Sequence, residues 1–280
     1  MDDDHVRTLM AVHAHPDDES ISTGGILAKY AARGIRTIVV YCTRGEAGEI
    51  LNHEFVPPSP GMDMQEIREI ELRKAVETLQ VGSVFFLEYR DSGMEGDPQN
   101  HHPQAFAQAD IEEATGKLVN IIRQTRPHVL VTYNQRGTYG HPDHIMANRV
   151  TVRAFKAAAD PAFRGGNGLP PWGPAKLYYT AIPLLRVRMM RQVAVERGEE
   201  FEFDPEVLGT PEERISSAID IREFLARKFK AIFCHESQMG PNSFFRRIPE
   251  ERKEAAFGWE YFECVHGCTS KRETDLFEGI

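Results

Sequence analysis

Continuous apolar runs alternate with amphipathic stretches along the first 159 residues. Arg7 to His13, Ile35 to Cys42, Val84 to Leu87 and Pro127 to Tyr133 are dominated by β-branched, aromatic and other large apolar side chains. Such runs read as strands buried on both faces. Met64 to Leu79 carries Ile67, Ile70, Leu72, Ala75, Val76 and Leu79 on one broadened stripe, the periodicity of a helix. Pro16 to Ala32, Ile111 to Arg126 and Pro142 to about Ala159 read the same way, the last with Ala147, Val150, Thr151, Ala154 and Ala158 as a packing face. Pro16 suits a first helical turn, where its missing N–H costs nothing. Arg68 and Glu71, three apart, share another side of their helix, and on spacing alone they read as an exposed pair.

Strand, helix and strand within about 35 residues predict a parallel βαβ unit. A composition shift begins at Asp160-Pro161 and runs through Gly165-Gly166 and Pro170-Pro171. Beyond it, Lys176 to Ile182 reads as a returning strand, Arg186 to Arg197 as a helix and Gly198 to Glu213 as an acidic, proline-marked insertion or lid. Ile215 to Asp220 reads as a further strand, Ile221 to Phe233 as a helix, and the residues past His266 as a tail. Neither a repeat nor a clear linker divides the chain. The expectation is one α/β domain over residues 1–280, a Rossmann-like, mostly parallel sheet flanked by helices. Residues 1–159 would form its core, and 160–280 would complete the strands, the pocket and a smaller C-terminal lobe.

Composition narrows the class. Hydrophobic residues make up 41% and charged residues 27%, and no apolar run approaches a bilayer span. The opening Met1-Asp2-Asp3-Asp4-His5 lacks the basic and apolar regions of a signal peptide, so a cytoplasmic protein is expected. A formal charge of −9 argues against a general nucleic-acid binder. Cys42, Cys234, Cys264 and Cys268 do not resemble a secreted disulfide framework. They read as ordinary thiols, with a second metal or redox site conceivable at Cys264 and Cys268.

The candidate chemistry lies where predicted strands end, the edge at which open α/β sheets bind ligands. His13-Ala14-His15-Pro16-Asp17-Asp18-Glu19 follows the first strand, and Tyr139-Gly140-His141-Pro142-Asp143-His144 follows the fourth. A capped helix with a solvated acidic first turn would explain the first motif alone. The return of His-Pro-Asp at a second strand end favours one divalent cation held by two remote segments. His15, Asp18 and His144 are the simplest ligand set, and two imidazoles with one carboxylate leave zinc an open position for water. Iron(II) or another transition ion suits the same donors. His13 or Asp17 can substitute if the turn differs. Asp17 and His141 are then the acid/base candidates: Asp17 takes the proton of the attacking water, and His141, as imidazolium, stabilises an oxyanion or donates to the amine. Asp143 can hold the His141 ring, Tyr139 can offer its hydroxyl to a tetrahedral intermediate, and Glu19 can stabilise local backbone. The chain lacks a P-loop, a GxGxxG turn, an HExxH helix and a GxSxG nucleophile elbow.

These motifs resemble the zinc-dependent LmbE-like/PIG-L family of N-deacetylases, and the likeness extends through Gly45 to Glu49, the Arg68 helix, Arg90 to Gly93 and Gly137 to Gly140. Within it the chain is similar to the mycothiol branch of glucosaminyl-inositol deacetylases and S-conjugate amidases. The resemblance implies His15, Asp18 and His144 as ligands, Asp17 as base, His141 as acid or electrostatic catalyst and Tyr139 as a mobile helper. It implies substrate contacts at Arg68 and Asp91, with Glu46 and the His235-Glu236-Ser237-Gln238 segment bordering the site. Gly140 follows the deacetylase pattern, whereas Glu273 to Ile280 looks closer to the amidase. The implied activity is hydrolysis of the N-acyl amide of a glucosamine-containing small molecule, with a deacetylase ranked ahead of a mycothiol S-conjugate amidase. A metal-stabilised carbohydrate-binding protein without turnover is the non-enzymatic alternative. The implied partner is an amino-sugar or thiol-conjugate substrate, without nucleic acid or membrane, and a homo-oligomer is compatible.

Overall fold

The computed structural model describes residues 6–196, 198, 200, 201, 203–269 and 272–280. The opening pentapeptide, Arg197 at the expected helix end, and Glu199 and Glu202 of the acidic segment lie outside the described residues. Seven strands form one sheet: β1 (Thr8–His13), β2 (Arg36–Tyr41), β3 (Ser83–Phe86), β4 (Val129–Thr132), β5 (Lys176–Ala181), β6 (Ser217–Asp220) and β7 (Trp259–His266). Their order is β3-β2-β1-β4-β5-β7-β6. β1 to β5 are parallel, and β7 runs antiparallel between β5 and β6. The expected mostly parallel α/β sheet is therefore the architecture found.

The helices are α1 (Gly24–Ala32), α2 (Met64–Leu79), α3 (Ile111–Thr125), the single turn α4 (Gly137–Gly140), α5 (Pro142–Ala157), α6 (Leu184–Glu196), α7 (Pro205–Leu208), α8 (Leu225–Ile232), α9 (Phe244–Arg247) and α10 (Glu250–Phe257). Alternate residues of β1 serve two cores. Met10 and Val12 pack with Leu118 and Ile122 of α3 and with Ala147 and Val150 of α5. Leu9 and Ala11 face Ile26 and Leu27 of α1, Leu72 and Ala75 of α2, and Ala231 of α8. Burial on both sides explains why these strands read as unbroken apolar runs. It also puts the loops after β1 and β4, which are neighbours, on one edge.

Several expectations are corrected. The helix after β1 does not begin at Pro16: Pro16 and Asp17 form a turn, Glu19–Thr23 is a π-helical turn, and α1 follows. Strand β7 and helices α9 and α10 were not anticipated. The inward face of β7 carries Glu260, whose carboxylate accepts the Gly25 and Ile26 N–H groups at 2.8 Å and pairs with buried Lys228. A charged residue at a core position erases the usual alternation. The tail folds back, burying Leu276 and Phe277. Cys264 and Cys268 are joined by a disulfide, which overturns their reading as ordinary thiols or metal ligands, while Cys42 and Cys234 are free. Among the described residues no helix is long and apolar enough to cross a membrane.

Candidate active site

The chain turns sharply after β1. His15 N–H donates to Asp18 Oδ2 at 2.9 Å, and His15 Nδ1 lies 3.4 Å from the same oxygen. From the adjacent strand, α5 begins at Pro142, with His141 capping it: His141 Nδ1 accepts the Asp143 N–H at 3.1 Å. This start brings His144 back over β1, its Nε2 3.4 Å from Asp18 Oδ2. Tyr133, at the end of β4, stacks on the His144 ring at 4.0 Å, and its hydroxyl accepts the Ala14 N–H at 2.8 Å.

These donors fit a metal. Ligand atoms about 2.1 Å from a tetrahedral zinc lie about 3.4 Å apart, and Asp18 Oδ2 stands 3.4 Å from a nitrogen of each histidine. Both ring nitrogens of buried His144 lack a hydrogen-bond partner among the described residues, and coordination at Nε2, the nitrogen facing Asp18, would satisfy one of them. Two triads, His15/His141/His144 and His15/Asp91/Asp143, place all their donor atoms within 4.8 Å of one another, and the set with Asp18 is not one of them. Asp143 is already committed, accepting Ser92 N–H at 2.9 Å and Ser92 O–H at 2.5 Å and lying 3.2 Å from His15 Nε2. His141 spends Nδ1 on its cap, and its triad lacks an anion. His15, Asp18 and His144 meet at one carboxylate oxygen, Asp18 Oδ2, 3.4 Å from each ring. His13 stands apart, with Nε2 2.8 Å from Thr23 Oγ1.

Around this centre the side chains divide into those that face it and those that hold it. Asp91 Oδ1 lies 3.4 Å from His15 Nε2 and accepts the Gly93 N–H at 2.9 Å. Glu46 ties two strand-end loops together, accepting from Arg44 N and Asp91 N. Asp143 was expected to hold His141; instead its carboxylate grips His15 and Ser92, because the start of α5 turns it toward the loop after β3. Burial works against charge on His15, yet Asp91, Asp143 and Asp18 together raise its pKa well above the usual value. Burial likewise opposes ionisation of Asp18, but the two histidines hold its carboxyl well below the usual range.

Asp17 adopts φ = 111°, a region L-residues rarely enter. Burial, partly offset by Arg68, pushes its carboxyl up to about 6. Arg68 Nη2 is 3.2 Å from Asp17 Oδ2 and also donates to the Pro16 carbonyl, while Nη1 donates to Gly45 O at 3.0 Å. Gly45, at φ +72°, is needed there: a Cβ would come within 2.3 Å of Arg68 Nη1. The exposed-pair reading of Arg68 and Glu71 fails, since both are buried. His235, expected at the substrate, is fully buried and donates to Glu19 at 3.0 Å. Glu19 Oε2 accepts the Asp17 N–H at 2.9 Å.

Burial and the neighbouring His15 and His144 rings push His141 down to about 3. Its Nδ1 is an acceptor, so the neutral ring carries its proton on Nε2. In that state the Nε2–H is its donor. Tyr139 lies half-buried against His144, ring centroids 5.0 Å apart, and meets Phe203 of the segment before α7 at 5.9 Å. An apolar cavity of about 840 Å³ lies farther off between α6 and α10, lined by Leu185, Met189, Met190 and Ile248, and contains none of these groups. Spacing alone did not reveal Tyr133 and Ser92. Each acts through a neighbour supplied by another strand, and the only signal was a polar group at a strand's carboxyl end.

Known proteins resemble this chain to different depths. A solved N,N'-diacetylchitobiose deacetylase from Pyrococcus horikoshii superposes with a TM-score of 0.64 at 20% identity, covering 94% of this chain and 85% of that one. A 4-carboxy-2-hydroxymuconate hydratase from Pseudomonas putida KT2440 matches with a TM-score of 0.61 at 20% identity, covering 93% and 96%. Similarity at that level speaks for the fold alone. A 1D-myo-inositol 2-acetamido-2-deoxy-alpha-D-glucopyranoside deacetylase from Thermomonospora curvata is 42% identical, with 98% of this chain and 97% of the relative covered. The model of the PIG-L family, described as GlcNAc-PI de-N-acetylase, matches residues 10–155, a span that holds both strand-end motifs. The chain therefore belongs to the PIG-L family.

Proposed function

We propose that the protein is a zinc-dependent N-deacetylase that hydrolyses the acetamide of an N-acetylglucosaminyl-inositol to acetate and a free amine. The observation that carries this reading is Asp18 Oδ2 standing 3.4 Å from both His15 and His144, with a second, unliganded carboxyl on Asp17 beside it. The substrate class is supported by relatives named for that deacetylation, two of them 42% identical over 98% of this chain.

Zinc held by His15, Asp18 and His144 supplies Lewis acidity toward the amide carbonyl and makes water more acidic. Asp17 accepts the proton of the attacking water and returns it to the departing nitrogen, one group serving as base and then acid. Arg68 orients that carboxylate, its Nη2 3.2 Å from Asp17 Oδ2. His141 offers a neutral Nε2–H to the developing oxyanion, its tautomer set by the cap of α5. Tyr139 contributes its hydroxyl from a turn in which Gly137, Thr138 and Gly140 all take positive φ. Asp91 and Glu46 line the approach from the loops after β3 and β2 and meet sugar hydroxyls.

The test compares acetylglucosaminyl-inositol, a thiol S-conjugate of the same glucosaminyl core and chitobiose by mass spectrometry, using zinc-loaded protein. Acetate release from the inositol glycoside, absent in Asp17→Asn, is the expected result. Cleavage of the S-conjugate alone would replace this assignment with an amidase, and release from none would favour a binding protein.

A further inference from the structure

Asp17 is held by more than the arginine beside it. Its N–H donates to Glu19 Oε2 at 2.9 Å, and Ser20 Oγ and His235 Nε2 both donate to Glu19 Oε1, at 2.5 and 3.0 Å. His235 comes from the segment after α8, and that segment is anchored in turn. Ser237 N–H and O–H donate to the two carboxylate oxygens of Glu71 at 2.6 and 2.8 Å. Glu71 sits on α2 three residues after Arg68, whose guanidinium pairs with the Asp17 carboxylate at 3.2 Å. The contacts close a ring that grips Asp17 at both its backbone and its side chain.

We infer that Glu19 and His235 are a positioning pair, holding Asp17 in its positive-φ conformation so that its carboxylate faces the reacting water. Both are fully buried, so neither reaches substrate. A backbone in this region is retained only where its surroundings over-determine it. Relaxing it would swing the carboxylate away from the cleft, and a displacement of about 1 Å in a reacting group costs on the order of 100-fold in rate. The inference rests on Asp17 being the general base.

His235→Leu fills the volume without the donor, and His235→Gln keeps an N–H toward Glu19. The leucine variant is expected to lose kcat on acetylglucosaminyl-inositol by about 10- to 100-fold, with KM and zinc content unchanged and the Asp17 amide exchanging faster by NMR. The glutamine variant is expected to recover kcat to within a few-fold and restore amide protection. If the leucine variant does not fold, Glu19→Gln decides: its single carbonyl oxygen cannot replace the two carboxylate oxygens that accept the Asp17 and His235 N–H groups, so the Asp17 amide should exchange faster and kcat should fall with zinc content unchanged. Unchanged amide exchange in the leucine variant, loss of zinc in step with activity, or a rise in KM alone would overturn the pair's role. So would an unchanged Asp17 amide with full kcat in Glu19→Gln. The exchange measurement needs no turnover, so an active Asp17→Asn would sink the base assignment without touching it.

Discussion

At Asp143 one carboxylate meets three donors, two from Ser92 and one from His15. Asp143→Asn puts an NH2 where an acceptor is required, facing either Ser92 or the imidazole N–H. Loss of such a ligand-orienting contact typically weakens metal binding by about 10- to 100-fold, and zinc competition with a chromophoric chelator measures it. Asp17→Asn, by contrast, should keep zinc while lowering kcat by about 100- to 10,000-fold, the usual worth of a general base. His144→Ala should lose the metal itself. Equal zinc loss in the Asp17 and His144 variants would contradict this division. Residue type and a repeated motif singled out His15, Asp18 and His144, which the fold brings together at Asp18 Oδ2. Glu19 as a support of local backbone was legible too, and its carboxylate accepts the Asp17 N–H, but the contacts of Ser92 and Tyr133 were not, because they become meaningful only once the neighbouring strand is known. Asp143 shows the limit: proximity in sequence suggested His141, and the register of β1 against β4 delivers His15.

Among the elements, those with a uniform environment were legible. β1, β2 and β4 are buried on both faces, and α2 carries an apolar stripe behind a capping box of Asp63 and Glu66. β7 was not, because Glu260 spends its charge on Lys228 and on the N-terminus of α1, interactions 32 and more than 230 residues away. Glu260→Ala leaves the Lys228 ammonium buried without its partner and strips two N–H groups of their acceptor. Breaking a buried pair from one side costs about 3–5 kcal/mol, so the urea midpoint should fall sharply. Lys228→Met in the same background should recover part of the loss, since the stranded charge is then gone.

At the scale of the whole molecule, the segment before β1 meets the last residues. Arg7 donates to the Ile280 carbonyl, and Lys176, Tyr178, Ser217 and Thr269 converge on the Glu273 carboxylate. Burial alone would raise the Glu273 pKa, but the Lys176 ammonium and the donors around it hold it below its ordinary 4.5. A lowered folded-state pKa means that its stabilisation is complete above the unfolded value and vanishes as pH falls through the lower folded one. Acid titration of the fold should therefore flatten in Glu273→Gln, which is already weaker at neutral pH; an unchanged acid profile would refute the link.

Glu273 also exchanges backbone hydrogen bonds with the outermost strand, accepting from Ala218 N–H at 3.0 Å and donating to the Ser216 carbonyl at 2.8 Å. The last residues thus act as a stopper on the rim of the sheet. Trimmed or released in acid, they would bare a ready template for another molecule to zip onto, and the protein should begin to self-associate before it unfolds.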